Sequence, residues 1–266
     1  MNRLEKTFKA LAKSGKKAFV PFIPLGYPDL EGTAKVIKAL EDAGADAVEV
    51  GMPFSDSLAD GPVIQAAYHH ALAKGLTVEA AFQFLAEQRK IRSVPFVLMC
   101  AFNLTHKLGL EKFSKLCAAS GVDAVIAPDL PVEESGPLRK DLERHRVCLV
   151  NLIAPTTPAR RAHRIARASS GFVYYISRRG VTGTREDLDA DLRLVVLDLK
   201  RHAKVPVLVG FGISTPEQAH TVAQVADGVI VGSALVSVMK GLLKKDYVRA
   251  AGKLAREIRQ AVDGPR

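Results

Sequence analysis

The sequence predicts a (β/α)8 TIM barrel with an extra N-terminal helix, built as a single domain over residues 1–266. Three observations carry that expectation. Eight short apolar runs rich in Val, Ile and Phe recur along the chain, a stretch with helical spacing follows each, and the 266 residues are close to the roughly 250 typical of the closed form. An open doubly wound sheet is the other architecture that alternating strands and helices allow, and the count of eight favours the barrel. No linker-like change of composition and no low-complexity segment divides the chain.

The elements follow in order. Leu4, Phe8 and Leu11 share one helical face near the start, which predicts a helix able to cap the bottom of the barrel. The apolar runs are Ala18–Pro24, Asp46–Gly51, Pro95–Ala101, Asp123–Pro128, Val147–Ala154, Gly171–Ser177, Pro206–Gly210 and Asp227–Gly232, most of them announced by Gly, Pro or Asp. Helical periodicity fills the intervals, as with Ala34, Ile37, Ala39 and Leu40 before the second run, or Phe113, Leu116 and Cys117 before the fourth. Residues 52–94 form the longest interval, opening with Met52-Pro-Phe-Ser-Asp-Ser-Leu-Ala-Asp-Gly61. A second long connection, Arg178 to about Asp191, holds Gly180 and Gly183 followed by a polar run, the composition of a lid. Long βα loops lie at the face where such barrels carry function.

Composition excludes several classes of function. The chain is 48% hydrophobic and 25% charged, which is the make-up of a globular protein rather than a disordered or fibrous one. No stretch approaches the ~18 to 20 apolar residues of a membrane span, and the first residues lack a signal-peptide core, so a cytoplasmic location is expected. A net charge of +10 raises the question of nucleic acid, but the basic groups, such as Lys13, Lys16 and Lys17 or Arg256 and Arg259, sit at opposite ends on polar helix faces. There is no Trp, and aromatics do not interleave with the cations. An acidic small molecule such as a phosphate ester is the more economical partner. Cys100, Cys117 and Cys148 have neither an even count nor CxxC spacing, so buried reduced thiols are expected.

Glu49 carries the first chemical signal. It lies within the apolar strand Ala47-Val-Glu-Val-Gly51 at the end feeding the long loop, on the same side as Ala47 and Gly51, so it points into the barrel mouth. Desolvation there raises a carboxyl pKa toward the range useful for proton transfer. Asp60 follows in a Gly-flanked loop, with Asp56 before it. Near the C-terminus, Val209-Gly-Phe-Gly-Ile-Ser214 and Val231-Gly-Ser-Ala234 follow the last two runs, where barrels of this class bind phosphate through exposed amides at a helix start. Thr215 stands where a dinucleotide fingerprint needs its third Gly. His69 and His70 are adjacent on a helix and so point about 100° apart, a poor metal geometry. The remaining histidines are expected to be scattered over the surface.

Taken together, these segments resemble the tryptophan synthase α-subunit family across essentially the whole chain. The resemblance runs through Phe19-Val-Pro-Phe-Ile-Pro-Leu-Gly26, Ala43-Gly-Ala-Asp46 leading to Glu49, Gly51-Met-Pro-Phe-Ser-Asp56, Leu58-Ala-Asp-Gly-Pro-Val-Ile-Gln65, Asp129-Leu-Pro-Val-Glu-Glu134, Gly180-Val-Thr-Gly183, Gly210-Phe-Gly-Ile-Ser214 and Gly232-Ser233. It implies a lyase that cleaves indole-3-glycerol phosphate by a retro-aldol step to indole and glyceraldehyde 3-phosphate, with no metal or organic cofactor in this chain. It further implies an α2β2 heterotetramer in which the indole passes to a pyridoxal-phosphate β subunit. By the same resemblance Glu49 is the acid/base at carbon and hydroxyl, and Asp60 holds the indole N–H. Phe22, Met99, Tyr174 and Phe211 line the indole slot, Thr182 reaches Asp60 on lid closure, and Gly183, Gly212, Gly232 and Ser233 cradle the phosphate.

Three features depart from the family's pattern. Ser57 stands where the family ordinarily has Pro, in the segment that meets the β subunit, and Ala101 stands where it has Tyr. Arg179 and Arg185 make the lid unusually basic. Two other readings stay open at this level: a chain that keeps the fold and chiefly activates its partner, and another phosphate-binding barrel enzyme such as a sugar-phosphate isomerase or epimerase.

Overall fold

A computed structural model describes the chain except for residues 58–59, 178–184, 211 and 265–266; the side chains of 185–190 and 244 are also left out of the description. Eight parallel strands close into a barrel in chain order, β1 pairing with both β2 and β8. The strands are β1 Ala18–Pro24, β2 Val48–Gly51, β3 Phe96–Met99, β4 Val122–Ile126, β5 Cys148–Ile153, β6 Val173–Ile176, β7 Val207–Gly210 and β8 Gly228–Val231. Each falls on one of the apolar runs: β1 matches its run residue for residue, β4 begins one residue early, and the others are shorter than their runs at one or both ends.

Alternation along each strand divides the core in two. Val48 and Val50 face outward into the layer between strands and helices, together with Phe19, Ile23, Phe96 and Leu98. Val20, Phe22, Val97, Met99, Ile126, Val150, Tyr174, Leu208 and Ile230 form a separate cluster filling the barrel. Glu49 belongs to this inner set by its parity with Ala47, as the sequence predicts.

The floor of the barrel is sealed by α1 (Arg3–Ser14), held by a capping box between Asn2 and Glu5. Leu4 and Phe8 enter the inner cluster, where Phe8 meets Phe172 edge to face at 5.7 Å. Buried Asp123 ties this end together: its carboxylate accepts from Arg3 Nη1 at 3.1 Å and from the Phe96 amide at 3.1 Å, while Arg89 lies 3.6 Å away.

The outer ring contains α2 (Leu30–Asp42), α3 (Pro62–Ala73), α4 (Val78–Ile91), α5 (Phe102–Leu108), α6 (Leu110–Ala119), α7 (Gly136–Arg144), α8 (Ala159–Ala168), α9 (Arg185–His202), α10 (Pro216–Val225), α11 (Ser233–Met239) and α12 (Lys244–Asp263). The long interval after β2 holds two helices, α3 and α4, and so do the connection after β3 and the segment after β8. One helix per strand is therefore an undercount, because the extra helices α3, α5 and α11 start at or near the mouth before the chain turns down the barrel wall.

Candidate active site

The mouth is organised around Glu49. Its residue is 0% exposed, and neither carboxylate oxygen has a hydrogen-bond partner among the described residues. A buried carboxylate without donors strongly disfavours its charged form. Burial first, and then the charge of Asp60, push the Glu49 carboxyl up to about 8. Phe22 on β1 and Val97 on β3 flank it in register, so the aromatic ring lies beside the acid on the same inner wall.

Asp60 is placed by the start of α3. Its amide donates to the Ser57 carbonyl at 3.1 Å, and Gln65 Nε2 donates to the same carbonyl at 3.1 Å, cinching the loop just before Gly61 and Pro62 open the helix. Its carboxyl, half-buried, is raised by burial to about 6. The two acids are thus pushed up to different levels, about 8 and about 6, the kind of separation expected of groups with different protonation roles.

Two phenols stand beside them. Tyr174, expected in the indole slot, is 4% exposed, with its hydroxyl over Gly210, where a Cβ would lie only 2.5 Å away. Tyr68, which sequence reasoning did not single out, is 2% exposed, and its hydroxyl fills the space over Gly51, where a Cβ would meet it at 2.1 Å and Phe22 Cζ at 2.7 Å. Glycine at 51 is therefore required by the ring above it. Burial, and then the charges of Asp60 and Glu49, raise Tyr68 well above the ordinary phenol range; the same causes act on Tyr174, with Glu49 ahead of Asp60. Both hydroxyls stay protonated. The signal for Tyr68 is present in α3, whose buried face reads Ile64, Ala67, Tyr68 and Ala71: a tyrosine in an inward stripe carries its hydroxyl into the barrel.

A cavity of about 410 Å³ reaches Asp60 and extends toward the loops after β4 and β5, lined by Met99, Leu130, Asn151, Leu152 and Ile176 among others. Met99 pairs with Gly51 in register and is 6% exposed. A larger groove of about 760 Å³ lies on the outer ring between α2 and α12, lined by Lys35, Lys38, Leu243 and Lys245, away from both acids.

Gly232 and Ser233 sit where β8 passes into α11, whose start has no side-chain cap. That leaves backbone donors unpaired at a helix N-terminus beside the mouth. A Cβ at Gly232 would lie 3.2 Å from Phe22 Cδ1, so this turn abuts the aromatic wall. Gly212, just past β7, adopts φ +78°, a left-handed conformation that favours glycine. Phe22, Glu49, Asp60, Met99, Tyr174 and Gly232 are thus brought to one mouth. Thr182, Gly183 and Phe211, with residues 178–184 of the segment expected to form a lid, lie outside the described residues.

Ala101 precedes α5 without a cap of its own, and Asp129 supplies it from the next βα loop: its carboxylate accepts the Phe102 amide at 2.8 and 3.1 Å. His69 and His70 turn to different backbone carbonyls, Ser55 at 3.2 Å and Pro28 at 2.9 Å, which matches their expected divergence. The three cysteines are free and buried, and burial pushes the Cys100 thiol up to about 12, far from a nucleophile's range. The expectation of scattered surface histidines needs correction, since His163 and His202, from different helices, stack at 3.6 Å.

Comparison with known proteins adds a family. The model of the tryptophan synthase alpha chain family matches residues 8–263. The tryptophan synthase alpha chain of a Geobacter species is 43% identical over 262 residues, covering 98% of each chain, and that of Chloroflexus aurantiacus is 41% identical over 266 residues, covering 100% of each. Among solved structures, tryptophan synthase subunit alpha from Legionella pneumophila superposes with a TM-score of 0.91 at 35% identity, covering 100% of both chains. The aminoacrylate-bound form of tryptophan synthase from M. tuberculosis superposes with a TM-score of 0.86 at 31% identity, covering 98% of this chain and 100% of that one.

Proposed function

The chain belongs to the tryptophan synthase alpha chain family, and from that premise we propose how its own residues carry out the family's reaction. It is the enzyme subunit that cleaves indole-3-glycerol phosphate, the indole passing to a β subunit.

In this reading Glu49 starts as the neutral acid that its burial favours. It protonates indole C3, and its carboxylate then takes the proton of the glycerol hydroxyl next to the breaking bond. The C–C bonding electrons return to the ring as the aldehyde forms, so Glu49 gives one proton and regains one. Asp60, ionised first, stabilises the positive charge that builds at the indole nitrogen. Phe22, Met99, Tyr174 and Phe211 hold the ring, and Tyr68 adds a protonated donor beside the two carboxylates. Gly183, Gly212, Gly232 and Ser233 receive the phosphate, for which the uncapped start of α11 offers unpaired amides. Thr182 meets Asp60 when the segment from Arg178 to about Asp191 closes. The observation that carries the assignment is the pair of acids at one mouth, one raised to about 8 and the other to about 6.

The test is release of indole from indole-3-glycerol phosphate by the purified chain, followed against pH. Catalysis needs Asp60 ionised and Glu49 protonated, so kcat/KM rises as pH passes about 6 and falls as it passes about 8. A flat profile between pH 5 and 9, or no indole, rejects the assignment.

The β subunit is the partner; an α2β2 assembly, pyridoxal phosphate on the β side with no cofactor assigned to this chain, a single-domain organisation and a cytoplasmic location belong to the proposal. Among the described residues no helix is long and apolar enough to cross a membrane. Ser57 lies in the loop we assign to the β-subunit contact, and its hydroxyl has no hydrogen-bond partner among the described residues. Ser57→Pro narrows the free loop's conformational range, so less entropy is lost on docking, a free-energy gain of about 0.4 to 1 kcal/mol. Binding of the β subunit is expected to tighten ~2- to 5-fold by calorimetry; unchanged or weaker affinity refutes the entropic account.

A further inference from the structure

On the side of the barrel, away from the mouth, α8 and α9 bring three ligating side chains together. His163 comes from the middle of α8, while Asp198 and His202 are four residues apart on α9 and so share a face of that helix. One ligand atom from each lies within 4.8 Å of the others. The Asp198 carboxylate is 2.5 Å from His163 Nε2 and 3.7 Å from His202 Nδ1, and the two imidazoles stack at 3.6 Å with 13° between their planes. We propose that His163, Asp198 and His202 form a binding site for a divalent transition-metal ion that clips α8 to α9.

The chemistry of the donor set selects the ligand class. Two imidazole nitrogens and one carboxylate oxygen suit Zn²⁺, Co²⁺, Ni²⁺ or Cu²⁺, whereas Mg²⁺ and Ca²⁺ prefer all-oxygen shells. Three protein ligands leave room for water in a tetrahedral site. The outer hydrogen bonding is of the kind that prepares a histidine for a metal. His202 Nδ1 lies 3.0 Å from the Asp198 backbone carbonyl, a contact that orients the ring on α9. Coordination through His163 Nε2 uses the tautomer that carries its hydrogen on Nδ1.

Side-chain exposures of 23% for His163, 27% for His202 and 41% for Asp198 let an ion enter and let the rings tilt out of the stack. Metal–ligand bonds of about 2.0 to 2.2 Å require the donor atoms to draw closer than their present spread. Half-exposed side chains on two helix surfaces can make that movement without disturbing the core.

The experiment uses the full, untagged chain stripped with a chelator. Zn²⁺ is titrated by calorimetry and Co²⁺ by visible absorption. The expected result is one ion per chain at micromolar affinity, cobalt d–d bands without the sulfur charge-transfer absorption that a cysteine site would add, and a Tm rise of about 5 °C at zinc ~100-fold above Kd. His163→Ala, His202→Ala and Asp198→Asn each weaken binding by about 10-fold or more, while exposed His106→Ala leaves it unchanged. Indole release by each variant confirms that the barrel is intact. Absence of binding below about 1 mM zinc, binding that survives His163→Ala/His202→Ala, or equal loss in His106→Ala overturns the site.

Discussion

Glu49→Gln keeps the barrel and its affinity for a substrate analogue and loses indole release by ~10²- to 10⁴-fold. The amide matches the carboxyl in size but can neither give a proton to carbon nor take one from the hydroxyl. Turnover within about threefold of the parent, well under that range, removes Glu49 from the mechanism. The same substitution has a second expected consequence, in stability. Burial raises the folded-state pKa to about 8 from 4.5. Between those two values the folded chain retains a proton that the unfolded chain has released, so stability falls as pH rises across that window. Gln has no proton to lose. Glu49→Gln is therefore expected to match the parent near pH 5 and to exceed it above pH 8, by an amount on the order of a few kcal/mol in urea unfolding. Identical pH dependence in the two proteins means that Glu49 is not held in the dry, donor-free environment described above.

Asp60→Asn lowers kcat by ~10²- to 10³-fold, the loss typical of removing one preorganised electrostatic group. Asn still accepts a hydrogen bond from the indole N–H, so the ring is placed much as before, but the positive charge building on nitrogen finds no counter-charge. The lower limb of the pH profile, near pH 6, should vanish with it, because that limb reports ionisation of Asp60. The upper limb should move down, since the charge of Asp60 is one of the two causes raising Glu49. A change confined to KM indicates uniform binding and contradicts the electrostatic role.

What could be read in one dimension is what local periodicity encodes. Alternation sets strand faces over a few residues, so all eight strands, the inward direction of Glu49 and the bottom-sealing face of α1 were legible. The glycine-rich turns after β7 and β8 were legible for a related reason, since glycine marks backbone positions where a side chain has no room or φ is positive, as at Gly212. The individual roles of Glu49 and Asp60 came from a resemblance carried by ordered motifs, and burial supplies a physical reason for the separation of their pKa values.

The rest depends on which surfaces closure brings face to face. Tyr68 is legible as an inward residue of α3, yet that its hydroxyl lands over Gly51 depends on how α3 lies across the mouth. Asp129 caps α5 from 27 residues away, and His163 meets Asp198 across 35. Period and propensity are properties of a few consecutive residues, so they determine which face of an element is apolar and where it ends. Barrel closure adds the contacts between elements, and those contacts, through desolvation and the proximity of charges, decide which acid is neutral, which phenol is a donor and which histidines form a pair.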